Sequence, residues 1–149
     1  MKIYLASDHA GFQLKEKVEA HLLKAGYDVE DVGNKHLDPD DDYPQFAYAA
    51  AAKILGSEHD DAKAILICGS GQGMCIAANR VRGIRAALCW DEASARETRN
   101  DNDSNVLCVP ARVLQTDEAF KMIDTWIKTP FSNAPRHARR LREIEELYG

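Results

Sequence analysis

The chain has 149 residues, a length that fits one domain with a sizeable buried core. Lysine and arginine total 19 against 24 aspartates and glutamates, and the net charge of −5 argues against a nucleic-acid partner. No apolar run is long enough to span a membrane, and Asp8 and His9 interrupt the first apolar stretch too early for a signal peptide. We therefore expect a single cytoplasmic domain, residues 1–149, without nucleic-acid or membrane partners.

Short apolar runs and helical periodicities alternate along the chain. The pattern predicts strands at residues 2–6, 27–32, 64–68, 84–89 and 105–109. It predicts helices at residues 12–24, 44–55, 91–100, 118–128 and 137–147, and a further helix that includes residues 76–80. Five strands separated by helices favour a three-layer α/β/α Rossmann-like sandwich with a five-stranded parallel sheet. Ligands of such sheets bind beyond the carboxyl ends of the strands.

The most informative segment follows the third predicted strand. Cys68 ends that strand, and the glycine-rich turn Gly69-Ser70-Gly71-Gln72-Gly73 comes next. Its spacing matches neither the Walker A sequence nor the dinucleotide-binding fingerprint. Three glycines exceed the needs of one tight turn, which favours close approach of a ligand to the backbone. A helix N-terminus here would stabilise a thiolate, and the backbone N–H groups would hold an anion or a developing oxyanion.

Cysteine usage favours reduced thiols. The four cysteines have no CxxC spacing and lie in apolar segments, which is typical of a cytosolic protein and not of a zinc site or a disulfide framework. Cys68 is the functional candidate because of its place at the strand end. The other three carry no such argument and are assigned to packing: Cys75, Cys89 and Cys108.

Two further segments contain candidate anion-binding residues. Asp8-His9 follows the first strand, where Asp8 would either cap the next helix or join His9 in binding and acid–base work. Near the C-terminus, Arg136, Arg139 and Arg140 share one helical face. Pairing with nearby glutamates is the alternative, but arginine suits bidentate recognition of phosphate. Residues 98–105 are predicted as a polar loop from which no catalytic residue stands out.

In order and spacing, these segments resemble the type B ribose-5-phosphate isomerase family, which includes the allose- and galactose-6-phosphate isomerases. The resemblance covers nearly the whole chain, from Ser7–Gly11 through Asp42-Tyr43-Pro44 and Ile67–Gly73 to Arg136-His137. It implies aldose–ketose isomerisation of a small-molecule sugar phosphate through a cis-enediolate, without a metal or a cofactor. It also implies a homodimer, or a dimer of dimers, whose active sites are shared between subunits.

The resemblance further implies a role for each matching residue. Cys68 would be the base that moves a proton between C1 and C2, while the amides of the glycine turn hold the enediolate. The implied catalytic residues are Cys68, Ser70 and Asp101. The implied substrate-binding residues are Asp8, His9, Tyr43, Gly69, Gly71, Gln72, Gly73, Asn102, Arg112, Arg136 and Arg140.

One position departs from the family pattern. The family usually has His-Asn where this chain has Asp101-Asn102, and that histidine opens the furanose ring. A carboxylate would serve as the acid only if burial or a like charge, such as Asp103, raised its pKa. The expected function is interconversion of ribose 5-phosphate and ribulose 5-phosphate, with Asp101 or His9 opening the ring. The alternatives are an isomerase of a tetrose 4-phosphate, which forms no furanose, an isomerase of a hexose 6-phosphate, and a non-catalytic phosphosugar-binding module.

Overall fold

Five parallel strands form the central sheet in the computed structural model, which describes residues 1–149. The strands are β1 (Lys2–Ser7), β2 (Asp28–Asp31), β3 (Lys63–Cys68), β4 (Ala86–Leu88) and β5 (Val106–Pro110). Their order across the sheet is β2-β1-β3-β5-β4. The chain builds outward from β1 to β2 and then crosses to the other side of β1 with β3. That change of side opens a crevice beyond the carboxyl ends of β1 and β3, where ligands of such sheets bind.

Six α-helices complete the fold, and a short 3-10 turn at His9–Gly11 leads into the first. They are α1 (Phe12–Lys24), α2 (Tyr43–Leu55), α3 (Gln72–Ala78), α4 (Glu92–Asn102), α5 (Thr116–Lys128) and α6 (Pro135–Tyr148). None of the helices combines the length and the apolar character that crossing a membrane requires.

Side-chain alternation along the strands divides the core into two layers. In β3, Ile65 and Ile67 face a cluster that α1, α4 and α5 complete. Leu66 and Cys68 face the opposite cluster, completed by α2 and α3. All six residues of β3 are buried because helices cover both faces of the sheet. The arrangement confirms the predicted three-layer sandwich and places Cys68 on the α2–α3 side.

Most predicted elements are present, with corrections at their ends. Helix α1 has the predicted bounds, whereas β2 and β4 are shorter than predicted. Helix α3 begins at Gln72, so the glycine turn runs directly into the helix. It ends at Ala78, so the prediction is wrong for residues 79 and 80, where the side chain of Asn79 bonds to Ala86 instead. Helix α4 continues to Asn102, which places Asp101 and Asn102 in a helical turn and not in the predicted loop. Helix α4 ends there because the next residue, Asp103, has a left-handed conformation with φ of 45°.

Strand β4 is an edge strand whose outer side is covered by α3 and the turn that follows it. The side chain of Asn79 donates to the carbonyl of Ala86 at 2.9 Å and accepts from the N–H of Ala86 at 2.8 Å. The two bonds are those that a further strand would make with Ala86. At Ala86, this edge of the sheet is therefore closed by a side-chain amide.

Candidate functional site

A cavity of about 250 Å³ opens beyond the carboxyl ends of β1 and β3. Segments far apart in the sequence line it: Asp8, His9, Ala10, Tyr43, Cys68, Gly69, Ser70, Gly73 and Arg112. All of these except Ala10 are among the predicted site residues. We call this set the rim cavity. The topology of the sheet, which places the ends of β1, β3 and β5 side by side, explains why these segments meet.

The glycine turn forms one wall of the rim cavity. Cys68 is 4% exposed at the end of β3, and Ser70 is exposed. Gly71 has φ of 75°, a left-handed conformation that side chains disfavour, and it lets the chain turn sharply into α3. The N–H of Gln72 lies 3.3 Å from Oγ of Ser70. The first N–H groups of a helix have no partners within the helix, so the turn presents free donors beside the thiol.

The segment after β5 is tied to the same turn. The N–H of Ala111 donates to the carbonyl of Cys68, and the N–H of Arg112 donates to the carbonyl of Gly69, both at 2.9 Å. The guanidinium of Arg112 lies against the turn, since a Cβ on residue 69 would be 2.7 Å from Nη1. A permanent positive charge therefore lies close to the thiol and the free amides.

The Asp8-His9 pair forms the opposite wall. Asp8 is 8% exposed, and its carboxylate accepts from the N–H of Gly11 at 3.1 Å, so it caps the 3-10 turn while it lines the cavity. Nδ1 of His9 lies 2.8 Å from Oδ1 of Asp41. This hydrogen bond raises the pKa of His9 above its ordinary value, although burial and the charge of Arg112 oppose it. The imidazolium form is thereby favoured next to Arg112.

The remaining predicted residues fall into two groups. Gly71 and Gln72 belong to the turn itself. Four others do not line the rim cavity and lie where α4 ends and α6 begins: Asp101, Asn102, Arg136 and Arg140. We call the region around these four, together with Ser132 and His137, the α4–α6 corner. A groove of about 520 Å³ runs beside it, lined by Asn102 and by apolar side chains of α6.

Within the α4–α6 corner, a buried histidine lies next to Asp101. His137 is 5% exposed, its Nδ1 lies 2.8 Å from Oγ of Ser132, and its Nε2 lies 3.6 Å from Oδ1 of Asp101. The last distance is too long for a direct hydrogen bond. Asp103, the like charge considered for raising the pKa of Asp101, instead pairs with Arg85 at 3.3 Å and Arg99 at 2.8 Å.

Comparison with known proteins identifies the family. A family model described as Ribose/Galactose Isomerase matches residues 3–144. This chain belongs to the ribose/galactose isomerase family. Ribose-5-phosphate isomerase B of Mycolicibacterium paratuberculosis is 41% identical over 146 residues, which are 98% of this chain and 91% of that protein.

Solved structures of the ribose/galactose isomerase family share the fold throughout. The ribose 5-phosphate isomerase of Thermotoga maritima superposes with a TM-score of 0.92 at 48% identity, covering 98% of each chain. Ribose-5-phosphate isomerase B of Mycoplasma genitalium, solved with bound ribulose 5-phosphate, gives a TM-score of 0.91 at 39% identity over 97% of this chain and 94% of that one. The predicted family and fold class are both confirmed.

One residue that the sequence reasoning assigned to packing has a distinctive environment in this isomerase-family fold. Cys75 is half-buried, and a hydrogen bond from the thiol of Cys108 lowers its pKa to about 7, with help from the N–H of Leu88 and the amide of Asn79. Burial is the main cause that raises the pKa of Cys89 to about 11; the charges of Cys75 and Asp91 add to it, and a hydrogen bond with Ser94 opposes it. The residue that distinguishes Cys75 is Cys108, which lies 33 positions later in the sequence, so no local pattern could have revealed it.

Proposed function

We propose that this family member interconverts ribose 5-phosphate and ribulose 5-phosphate. One observation carries the proposal: a single cavity holds the Cys68 thiol beside free turn amides, with the guanidinium of Arg112 and the imidazole of His9, whose pKa is raised by its hydrogen bond with Asp41, at its walls. Thiolate, oxyanion donors and phosphate-binding cations are the groups that a phosphosugar isomerisation needs. The relatives named ribose-5-phosphate isomerase B, one of them with bound ribulose 5-phosphate, support the choice of sugar.

The proposed chemistry is a proton transfer within the open-chain sugar. The thiolate of Cys68 removes the proton from C2 of ribose 5-phosphate, and the electron pair of that C–H bond forms the C1–C2 double bond of a cis-enediolate. The negative charge that develops on O1 is stabilised by the turn amides. Cys68 then returns the proton to C1, while the proton of the C2 hydroxyl moves to O1 with the help of Ser70. Every atom in this sequence comes from the sugar and the protein, so no metal or cofactor enters it.

We further propose that two copies of the chain build each site. Arg136 and Arg140 suit a phosphate but lie in the α4–α6 corner, away from the rim cavity of their own chain. A homodimer would bring the corner of one subunit to the rim cavity of the other. Helix α6 leaves apolar side chains uncovered, with Leu147 74% and Tyr148 82% exposed, as expected of a surface that contacts a partner.

Ring opening is proposed to involve Asp101 together with His137. Nε2 of His137 faces the carboxylate of Asp101 at 3.6 Å, and Nδ1 of the same ring lies 2.8 Å from Oγ of Ser132. A sugar oxygen placed beside this pair would find both a carboxylate and an imidazole within reach of a proton transfer. The pair offers a route for opening a furanose, which makes a tetrose phosphate unnecessary as an explanation for Asp101.

The test is turnover together with solvent exchange. Wild-type protein in deuterated water is expected to convert ribose 5-phosphate and to place deuterium at C1 of ribulose 5-phosphate. Cys68→Ala should lower the rate by about 10³-fold, because the base is removed. Cys89→Ala, which removes a buried thiol that faces the other core layer, should keep most of the activity.

Two outcomes would contradict this function. Wild-type protein that binds ribose 5-phosphate without turnover or exchange would be a phosphosugar-binding module. Faster turnover of erythrose 4-phosphate or of a hexose 6-phosphate than of ribose 5-phosphate would keep the reaction class and change the substrate.

A further inference from the structure

The loop between β2 and α2 places the buried carboxylate of Asp41 against His9 at the wall of the rim cavity. Asp41 lies in an acidic segment in which Asp38, Asp40 and Asp42 are exposed, yet its own side chain is only 4% exposed. Oδ1 of Asp41 accepts from the backbone N–H of His9 at 2.9 Å and lies 2.8 Å from Nδ1 of the same residue. Oδ2 accepts from the side-chain amide of Asn34 at 3.2 Å. Both carboxylate oxygens are therefore engaged.

A second, fully buried charge holds this loop in place. Nζ of Lys15 is 0% exposed and donates to the carbonyl of Asn34 and to Oδ2 of Asp31, both at 2.6 Å. Asp31 also accepts from the N–H of Gly33 at 2.9 Å. The backbone at residues 33 and 34 is thus fixed from α1, and Asn34 is positioned to orient Asp41. A buried carboxylate with this many fixed partners is a built feature and not a chance surface contact.

We propose that Asp41 is a positioning residue that keeps His9 protonated and directs its Nε2–H into the rim cavity, where it binds the phosphate of the substrate. Asp41 accepts only, so Nδ1 of His9 must donate to it, and Nε2 is the ring nitrogen left for a ligand. The side chain of His9 is 39% exposed and lines the cavity, so this nitrogen is accessible. The inference rests on the proposed function for the identity of the ligand, but the state of His9 does not depend on it.

The charges that face His9 are few. Asp41 and Asp8 favour the imidazolium, whereas Arg112 across the cavity disfavours it. The hydrogen bond with Asp41 is the largest of these influences on the pKa of His9, and it raises that pKa. Loss of the Asp41 charge would therefore let His9 lose its proton at a lower pH, and the cavity would then lose one of its two cations.

The experiment compares charge-changing variants at neighbouring positions. Asp41→Asn keeps the shape and removes the charge, Asp41→Glu keeps the charge, and Asp40→Asn removes an exposed charge from the same loop. The pKa of His9 is measured by NMR titration of the imidazole resonances, assigned with His9→Gln. It should fall in Asp41→Asn, fall less in Asp41→Glu and stay unchanged in Asp40→Asn.

Kinetics provide the second readout. Above the lowered pKa of His9, the KM of Asp41→Asn for ribose 5-phosphate should rise about tenfold, the low end of what a hydrogen bond to a charged group contributes. The value of kcat should change little. As the pH rises, the increase in KM should begin at a lower pH in Asp41→Asn than in the wild type. Titration of the substrate phosphate affects both proteins equally, so the difference between them reports on the protein.

Two results would overturn the inference. An unchanged His9 pKa in Asp41→Asn would show that Asp41 does not hold the proton, and an equal fall in Asp40→Asn would show a general charge effect. If wild-type protein turns over no ribose 5-phosphate, the proposed function fails instead, and the titration of His9 still decides the role of Asp41.

Discussion

The rim cavity and the α4–α6 corner hold comparable numbers of chemically suited residues but are built in different ways. The rim cavity is complete within one chain because strand ends define it, and the sheet order places those ends together. The corner lies where α4 and α6 pack together outside the sheet. Its arginines, Arg136 and Arg140, do not line the cavity that contains Cys68. A parallel sheet thus gathers the rim residues within one chain, whereas the proposed function requires a second chain to bring the corner to a rim cavity.

The largest expected effect comes from mixing two inactive variants. Cys68→Ala damages the rim cavity, and the double variant Arg136→Ala/Arg140→Ala damages the corner. If the sites are shared, a mixed dimer holds one undamaged site. An equimolar mixture, refolded together, should recover about a quarter of the wild-type activity, since half of the dimers are mixed and each has one intact site of two. Mixed dimers that are seen by native mass spectrometry but stay inactive would show that rim and corner do not serve one site.

Asp101→Asn should separate ring opening from isomerisation. We expect kcat/KM for ribose 5-phosphate to fall about 100-fold, the contribution of one general acid. Ribulose 5-phosphate forms no furanose, because its O5 carries the phosphate, so deuterium exchange at its C1 should stay near the wild-type rate. Rate measurements and NMR detection of exchange on the same preparation provide the comparison. Equal losses in both assays would assign Asp101 to sugar binding or to the fold.

Gly71→Ala should disturb the rim cavity through the backbone. Gly26 offers a matched control, since it has φ of 90° and a Cβ added there would meet no atom within 4 Å, whereas a Cβ on Gly71 would lie 2.5 Å from Cδ1 of Leu88. Gly26→Ala should cost about 1 kcal/mol in free energy of unfolding from the left-handed conformation alone. Gly71→Ala should cost roughly 2 kcal/mol or more, with the clash added. Urea denaturation measures the free energy of unfolding of both variants. Equal losses would show that the turn can shift to accommodate the added methyl group.

The smallest effect on activity is expected from alkylation of Cys75, whose contacts Asn79 and Ala86 line the groove beside the corner. Its iodoacetamide reaction should be half-maximal near pH 7 and faster above it, because the thiolate is the nucleophile. Cys89, with a pKa of about 11, should react far more slowly. Peptide mapping by mass spectrometry follows both cysteines, with Cys75→Ser as the control. Reaction of Cys75 no faster than that of Cys89 would contradict the lowered pKa.

Local patterns predict much of the fold and of the rim cavity. The apolar run before Cys68 forms a buried strand, and the glycines that follow form a tight turn into a helix, as their conformational freedom suggests. The strand-to-turn position of Asp8-His9 also predicts its place at the rim. Such features lie at element ends, where sequence position and spatial position coincide in a parallel sheet.

Features that depend on distant packing are not predictable from the sequence. Asp41 is chemically identical to the neighbouring aspartates, and only the fold shows that it alone is buried against His9. Only residues 76–80 are predicted as part of α3, since Gly71 and Gly73 are poor helix formers, yet Gly71 supplies the left-handed entry to the helix. The position of α6 depends on side chains of several other elements, so its arginines can be recognised in the sequence but not placed.

The side-chain amide of Asn79 on strand β4 limits how copies of this protein can associate. Since it already satisfies the outward N–H and carbonyl of Ala86, a neighbouring molecule finds no open backbone there to which it could add a strand. Association on this side must instead rely on helix surfaces such as α6, where side-chain shape determines the geometry. Contacts between side-chain surfaces can close through rotational symmetry, whereas backbone pairing at an open edge can repeat without limit.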